Sequence, residues 1–190
     1  MLDQNFNLSC LFCWARIGLF WNIIKIFSMS KNKGLQERTL VLIKPDAIQR
    51  GLFGAITSRF EHKGLKLVGV KMIGLDEAIL REHYAHIAEK PFFSGVAKFM
   101  QSTPVIAMCW EGLDVVSTVR KITGITKARE AESGSIRGDF AMSVSCNVIH
   151  ASDSIETAEK EVKRFFKEDE LFGYDKSEYM HVYGEDERVL

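Results

Sequence analysis

The chain has 190 residues, and its 25 basic side chains are balanced by 25 acidic ones. A chain of this length can bury a core of its own without disulfide bonds. Zero net charge excludes a global electrostatic field that would attract nucleic acid, an anionic membrane or an acidic substrate. We therefore expect no nucleic-acid partner, and any anion site must be local.

The four cysteines are too few for a disulfide scaffold in a chain of this size. Cys109 and Cys146 lie in apolar runs that predict buried strands, which favours a reducing, cytoplasmic location. Cys10 and Cys13 form a single CxxC pair. Because structural zinc sites take four ligands and no second pair lies nearby, zinc binding by these two cysteines is disfavoured.

Residues 1–34 are predicted to form an N-terminal extension with its own composition, rich in aromatic and apolar side chains. Asp3 precedes its apolar stretch and Arg16 interrupts it, which disfavours both a signal peptide and a transmembrane helix. Two explanations stay open: translation that begins at Met29, or a segment that contacts a membrane surface. The working domain is expected over residues 35–190.

The first elements of that domain follow from its apolar pattern. The run RTLVLIKP at residues 38–45 predicts a buried strand with Lys44 at its exit. Apolar side chains at every fourth position, followed by a glycine, predict a helix over 52–63. The segment LKLVGVKMIG at 65–74 predicts a second strand.

Two helices are expected next, one over 77–89 that Asp76 can cap and one over 93–102. The apolar run PVIAMCWEG at 104–112 predicts a third buried strand, led by a proline as strand starts tolerate. A further helix is predicted over 113–124, where a glycine ends it.

Residues 125–139 have no clear periodicity and contain two glycines, which predicts a long loop of the kind usually reserved for function. A fourth strand is expected over 142–150, and a helix over 154–166 with Asp153 and Glu156 as its capping box. Strands and helices therefore alternate in one α/β or α+β domain.

His150 lies where the fourth strand meets the last helix, whose free N–H groups and dipole favour an anion. The Ser152 hydroxyl can bond an incoming oxygen or a carboxylate, and Glu161 could reach back to an imidazole N–H. A carboxylate on one ring nitrogen would fix the tautomer and leave a neutral imidazole as nucleophile. From this segment alone, a strand-end histidine bonded to a carbonyl is an equally good interpretation.

Three cations add to the case for phosphate chemistry. Lys44 lies at a strand exit, Arg120 on a helix and Arg137 in the glycine-bearing loop. Phosphoryl transfer depends on positioning and on neutralising charge spread over the phosphate oxygens, so converging cations are what it needs. Each of them alone is more typical of a solvated surface.

From about Glu37 to about Glu178 the chain resembles the nucleoside diphosphate kinase family. NVIHASDS resembles the active-site motif of that family, and four further blocks follow the family's order: TLVLIKPDAIQRGL, HYAHIAEKPFF, MCWEGLDVV and GSIRGDF. The resemblance implies an α+β fold, a ferredoxin-like βαββαβ sandwich with a four-stranded antiparallel sheet and surrounding helices. It also implies a homo-oligomer, either a hexamer or a tetramer.

The resemblance implies that His150 takes the γ-phosphoryl group from a nucleoside triphosphate and passes it to a nucleoside diphosphate. This ping-pong reaction maintains nucleoside triphosphate pools, with Mg²⁺ bridging the nucleotide phosphates and no metal ligand expected from the protein. The implied catalytic residues are His150, Lys44, Tyr84, Asn147, Ser152 and Glu161. The implied nucleotide-binding residues are Lys44, Phe92, Val96, Arg120, Thr126, Arg137 and Asn147.

Phe92 and Val96 are implied to sandwich the base, and stacking of this kind accepts purines and pyrimidines alike. His86 stands where an acidic residue is common in the family, and a metal site formed with His83 is disfavoured against a solvated helix face. A different class of function is a paralogue that binds nucleotide without turnover. Because no implied catalytic residue is missing, the sequence favours the active enzyme.

Overall fold

The computed structural model describes residues 37–188. Within that range a four-stranded antiparallel sheet has the order β2-β3-β1-β4. Its strands are β1 (Glu37–Ile43), β2 (Lys66–Ile73), β3 (Val105–Gly112) and β4 (Ile149–Ala151). This architecture confirms the predicted ferredoxin-like α+β fold. The predicted N-terminal extension lies outside the described residues, and its boundary stays a prediction.

Helices connect the strands and cover the sheet. They are α1 (Pro45–Gln49), α2 (Phe53–His62), α3 (Glu77–His83), α4 (Phe93–Met100), α5 (Val115–Thr123), α6 (Ile136–Phe140) and α7 (Ile155–Phe165), followed by α8 (Tyr179–Val182) and α9 (Glu185–Arg188). Single 3₁₀ turns occupy Ala128–Glu130 and Glu168–Glu170. Two of these elements, the 3₁₀ turn at Ala128–Glu130 and α6, lie in the segment predicted as a loop.

Strand β1 is buried on both faces, which explains why its sequence is apolar throughout. Leu40 and Leu42 belong to one core cluster, together with side chains of α4 and α7. Val41 and Ile43 belong to the other, together with side chains of α2 and α5. Since successive strand residues point to opposite faces, a buried strand between two helical layers needs apolar side chains at every position.

The predicted start of α3 is right and its predicted end is wrong. The Asp76 carboxylate accepts a hydrogen bond from the backbone N–H of Ile79 at 2.8 Å, as a capping residue does. The helix ends at His83 and not at residue 89, because Tyr84 leaves the helical region with φ −104° and ψ 32°. The turns that follow carry the HYAHIAEKPF segment along the cleft described below.

The predicted fourth strand is too long, since only residues 149–151 pair with β1. Val148 has φ 61°, which interrupts an extended chain. Upstream, the Ser143 hydroxyl accepts hydrogen bonds from the backbone N–H groups of Ser145 and Cys146 and forms a turn. Cys146 is therefore exposed, and its predicted burial in a strand is wrong.

The N-cap of α7 is Ser154, not the predicted Asp153. The Ser154 hydroxyl accepts a hydrogen bond from the backbone N–H of Thr157 at 3.1 Å. Ser154 has the extended backbone of a capping residue, with φ −147° and ψ 164°. Two neighbouring residues that both favour caps cannot be distinguished by composition, because the backbone conformation decides which side chain reaches the free N–H groups.

This assignment predicts unequal effects of two neighbouring substitutions. Ser154→Ala should lower the free energy of unfolding by about 1 kcal/mol, since the cap is lost. Asp153→Ala should cost less than half as much in high salt, which screens its interaction with the helix dipole. Urea denaturation measures both values, and equal losses would contradict Ser154 as the cap.

Candidate active site

A cleft of about 1040 Å³ opens on one side of the sheet. Most of the residues that the sequence predicts for the site line this cleft: Lys44, Tyr84, Phe92, Val96, Arg120, Thr126, Arg137, Asn147, His150 and Glu161. Ser152 is not in the lining, because it is fully buried behind Glu161. The predicted residues, far apart in the chain, are therefore neighbours in space.

The His150 ring is held by a carboxylate. His150 pairs with Leu42 of β1, and its Nε2 lies 3.1 and 3.0 Å from the two carboxylate oxygens of Glu161. Glu161 comes from α7, one strand-to-helix connection downstream. A carboxylate at Nε2 selects the tautomer that carries its proton there, so Nδ1 keeps its lone pair.

Glu161 is itself fixed from behind. The Ser152 hydroxyl donates to its Oε2 at 2.6 Å, and the backbone N–H of Leu40 donates to the Ser152 oxygen at 3.3 Å. Burial alone would raise the pKa of Glu161, but the hydrogen bond and charge of His150, the nearby His83 and the Ser152 hydroxyl together lower it. The carboxylate is therefore ionised and rigid at neutral pH.

Lys44 and Asn147 connect the end of β1 to the segment before β4. The Lys44 ammonium donates to the side-chain oxygen of Asn147, whose amide donates to the backbone carbonyl of Thr126 at 3.2 Å. Burial, and next the charge of Arg137, lower the pKa of Lys44 to about 8. The charged form of Lys44 is therefore destabilised in the cleft, and a bound anion would stabilise it.

Arg137 is buried and anchored by two carbonyl groups. Its guanidinium donates to the backbone oxygens of Gly124 and Ile149, each at 2.8 Å. Its Nε has no hydrogen-bond partner within the described residues. Burial and the charge of Arg120 lower its pKa to about 10. Three cations held this close together, with Lys44 as the third, prepare the cleft for a polyanion.

The backbone between Asn147 and His150 is strained. Val148 has φ 61°, and the N–H of Ile149 bonds back to the carbonyl of Asn147 at 2.7 Å. The Asp46 carboxylate accepts a hydrogen bond from the backbone N–H of Val148 at 3.0 Å. The backbone N–H of Lys44 donates to the carbonyl of Val148 at 3.0 Å. A β-branched residue with a positive φ costs energy, so these hydrogen bonds are needed to hold Val148 in this conformation. The conformation of Val148 in turn fixes the positions of Asn147 and His150.

Several residues that line the cleft are not predicted from the sequence. Two of them, Val144 and Ser145, lie in the segment predicted as a strand. His83 was considered only with His86, yet its buried ring packs edge-on against His150 with centroids 4.5 Å apart. Burial, followed by the charge of His150, lowers the pKa of His83 to about 3. The sequence feature that could have indicated His83 is its position directly before Tyr84 in the HYAHIAEKPFF motif.

An imidazole bound by a carboxylate, in a cleft that three cationic side chains also line, is an arrangement suited to phosphoryl transfer. The family model described as nucleoside diphosphate kinase matches residues 37–171. The chain therefore belongs to the nucleoside diphosphate kinase family, whose members are phosphotransferases. Over residues 37–188, every helix is too short or too polar to span a lipid bilayer.

Individual relatives agree with the family match. The chain is 54% identical to nucleoside diphosphate kinase of Parabacteroides distasonis over 151 residues, which cover 80% of this chain and 99% of the relative. It is 51% identical to nucleoside diphosphate kinase A of Homo sapiens over 138 residues, or 73% and 91% of the two chains. A halophilic nucleoside diphosphate kinase from Halobacterium salinarum, solved in complex with CDP, superposes with a TM-score of 0.76 at 46% identity, covering 78% of this chain and 99% of that one.

The environment of Lys44 predicts how nucleotide affinity depends on pH. Since the pKa of Lys44 is about 8, the ammonium loses its proton as the pH rises through that value. The attraction for a phosphate is then lost, so the dissociation constant of ADP should increase by up to about tenfold per pH unit above it. Bound nucleotide raises this pKa, so the rise in the dissociation constant begins near pH 8 and levels off above the pKa of the complex.

Lys44→Arg is the matched control, because a guanidinium stays charged over the same range. Calorimetric titration with ADP between pH about 7 and about 9.5 compares the two proteins. Parallel pH dependence in the wild type and the variant would contradict the role assigned to Lys44.

Proposed function

We propose that the chain transfers the γ-phosphoryl group of a nucleoside triphosphate to a nucleoside diphosphate through phosphohistidine at Nδ1 of His150. The observation that carries the proposal is the contact of Nε2 with Glu161 at 3.0 Å. It leaves the lone pair on Nδ1, the nitrogen that no group of residues 37–188 bonds. Glu161 also stabilises the positive charge that develops on the ring during attack.

The cations supply the remaining catalysis. Lys44, Arg120 and Arg137 line the cleft with His150 and can neutralise charge on the phosphate oxygens in the transition state. Tyr84 and Thr126 also line the cleft and offer hydroxyl groups to the same phosphates. Burial raises the pKa of Tyr84 to about 12, so its hydroxyl remains a donor during turnover.

Mg²⁺ is proposed as the cofactor, bound mainly through the nucleotide phosphates. It prefers oxygen ligands, and the buried carboxylate of the cleft, Glu161, lies against the imidazole nitrogens of His150 and His83, which Mg²⁺ disfavours. Phosphate oxygens are thus the available ligands for the ion. When bound, Mg²⁺ neutralises charge on the phosphates, while the side chains hold and orient them.

A nucleotide-binding paralogue without turnover is the second candidate. A protein that had retired from catalysis would have no need for an ionised, buried carboxylate behind an imidazole, because such a group costs stability. The intact arrangement of Glu161, Ser152 and His150 favours the active enzyme. With broad base acceptance, the activity would maintain nucleoside triphosphate pools, and a cytoplasmic location is part of the proposal.

Labelling tests the covalent step. Incubation of the full chain with γ-labelled ATP and Mg²⁺, without acceptor, should place acid-labile phosphate on His150, and added GDP should discharge it. His150→Asn should take no label while still binding ADP. Glu161→Gln should slow labelling by about 10- to 150-fold, since a charge-assisted hydrogen bond is worth about 1.5–3 kcal/mol. Label at another residue, or normal turnover by His150→Asn, would refute the mechanism.

The base is proposed to stack on Phe92, whose side chain is exposed in the cleft. Val96 was predicted as its partner, but Val96 also packs against the core, whereas Val144 is 51% exposed in the same cleft. Val144 is therefore a further candidate for base contact. Neither valine can read the hydrogen-bonding edge of a base, so the site should discriminate weakly.

We expect kcat/KM to differ by less than about a hundredfold between purine and pyrimidine donors. Phe92→Ala should raise KM for both classes to a similar degree, since base stacking on an aromatic ring is worth about 1–3 kcal/mol. Val144→Ala and Val96→Ala, compared side by side, identify the second contact by the larger rise in KM. A strict preference for one base class would contradict stacking without edge recognition.

We propose that the chain assembles as a homo-oligomer, a hexamer or a tetramer. The edge strand β2 supports this, because Val70 and Met72 are 51% and 61% exposed on a strand that pairs with β3 alone among the described strands. An exposed apolar edge is a liability that assembly removes. Sedimentation of the wild type should give a multiple of the 21.6 kDa chain, and Val70→Lys should weaken it. A monomeric wild type would contradict this.

A further inference from the structure

His83 is the buried group of the cleft that phosphoryl transfer leaves unused. Its side chain is only 1% exposed, and neither ring nitrogen has a hydrogen-bond partner in the described part of the chain. The ring packs against Tyr84, His150 and Phe165, with centroid distances of 4.7, 4.5 and 5.3 Å. A phenylalanine would fill this space without the cost of two unsatisfied nitrogens, so packing does not explain an imidazole here.

The unpartnered ring belongs to a compact set of potential metal ligands. Nδ1 of His83 lies 3.4 Å from Oε1 of Glu161, and Nε2 of His150 lies 3.0 Å from Oε2 of the same carboxylate. One ligand atom from each residue falls within 4.8 Å of the others. Zinc binds nitrogen and oxygen at about 2.0–2.2 Å, so neighbouring ligands of a tetrahedral ion stand about 3.4 Å apart.

We propose that His83, His150 and Glu161 form a Zn²⁺ site in which a water or ligand completes the tetrahedron. Two imidazoles and one carboxylate with an open fourth position are a known zinc arrangement. Mg²⁺ is a poor occupant, since it demands oxygen ligands and gives up water reluctantly. The positive charges of Lys44 and Arg164 act on His83 and limit the affinity of the site.

Zn²⁺ binding and phosphorylation of His150 oppose each other, a consequence that rests on the proposed function. A zinc ion on Nε2 displaces the Nε2 proton, and the neutral ring then carries a proton on Nδ1, where the nucleophilic lone pair would be. Phosphate on Nδ1 withdraws electrons from the ring and favours an Nε2–H that donates to Glu161, and both effects weaken Nε2 as a zinc ligand. By linkage, each event weakens the other by the same factor.

Zinc titration of the full chain tests the site. Cys10→Ser and Cys13→Ser are introduced together, so that the CxxC pair contributes no thiolate, and excess Mg²⁺ is present throughout. His83→Phe and His83→Gln should both weaken Zn²⁺ binding more than about tenfold, since loss of even an outer-shell partner costs about 10- to 100-fold. His62→Gln, at an exposed histidine of α2, is the matched control and should bind like the parent.

Two further measurements test the zinc site without relying on the folding of a variant or on enzyme activity. Co²⁺ in place of zinc should give the visible absorption of a tetrahedral nitrogen and oxygen site without a thiolate charge-transfer band, which excludes Cys146. In the unsubstituted His83 protein, phosphorylation should weaken zinc binding. Zinc affinity that is unchanged in both His83 variants overturns the site. If the protein binds zinc through His83 but is never phosphorylated by γ-labelled ATP, the proposed function is wrong and the zinc site stands.

Discussion

The contact between the Glu161 carboxylate and Nε2 of His150 is the interaction on which the site depends. It selects the tautomer of the histidine, because the carboxylate is held in place and its pKa is lowered. Ser152 and the backbone of Leu40 hold it from the sheet side. Since Leu40 lies in β1, a strand buried on both faces, the core of the sheet holds the carboxylate that contacts His150.

The cleft separates two kinds of charge. The anion Glu161 is buried behind the imidazole, whereas Lys44 and Arg137 line the cleft, where burial and the charge of Arg137 lower the pKa of Lys44. The free protein therefore carries an electrostatic cost that a bound anion would relieve. This arrangement also explains why His83 remains neutral: burial and the charge of His150 act in the same direction on its pKa.

Local patterns predicted most of the fold, because an apolar strand or an amphipathic helix is encoded within about ten neighbouring residues. The start of the fourth strand could not be predicted, since the conformation of Val148 depends on a bond to Asp46, 102 positions earlier. The choice of Ser154 over Asp153 as helix cap is likewise a matter of backbone geometry. For the site, motif resemblance predicted residues from Lys44 to Glu161, most of which line one cleft, but it assigned no role to His83, which meets His150 and Glu161 only when three segments converge.

The position of the phosphate on the His150 ring tests the central claim most directly. Phosphorylated protein with ¹⁵N-labelled histidine, examined by ³¹P and ¹⁵N nuclear magnetic resonance, reports which nitrogen carries the phosphate and which carries the proton. If Glu161 fixes the tautomer, the phosphate lies on Nδ1 and the proton on Nε2. Phosphate on Nε2 would mean that the carboxylate does not hold that nitrogen during the reaction, and the account would be wrong.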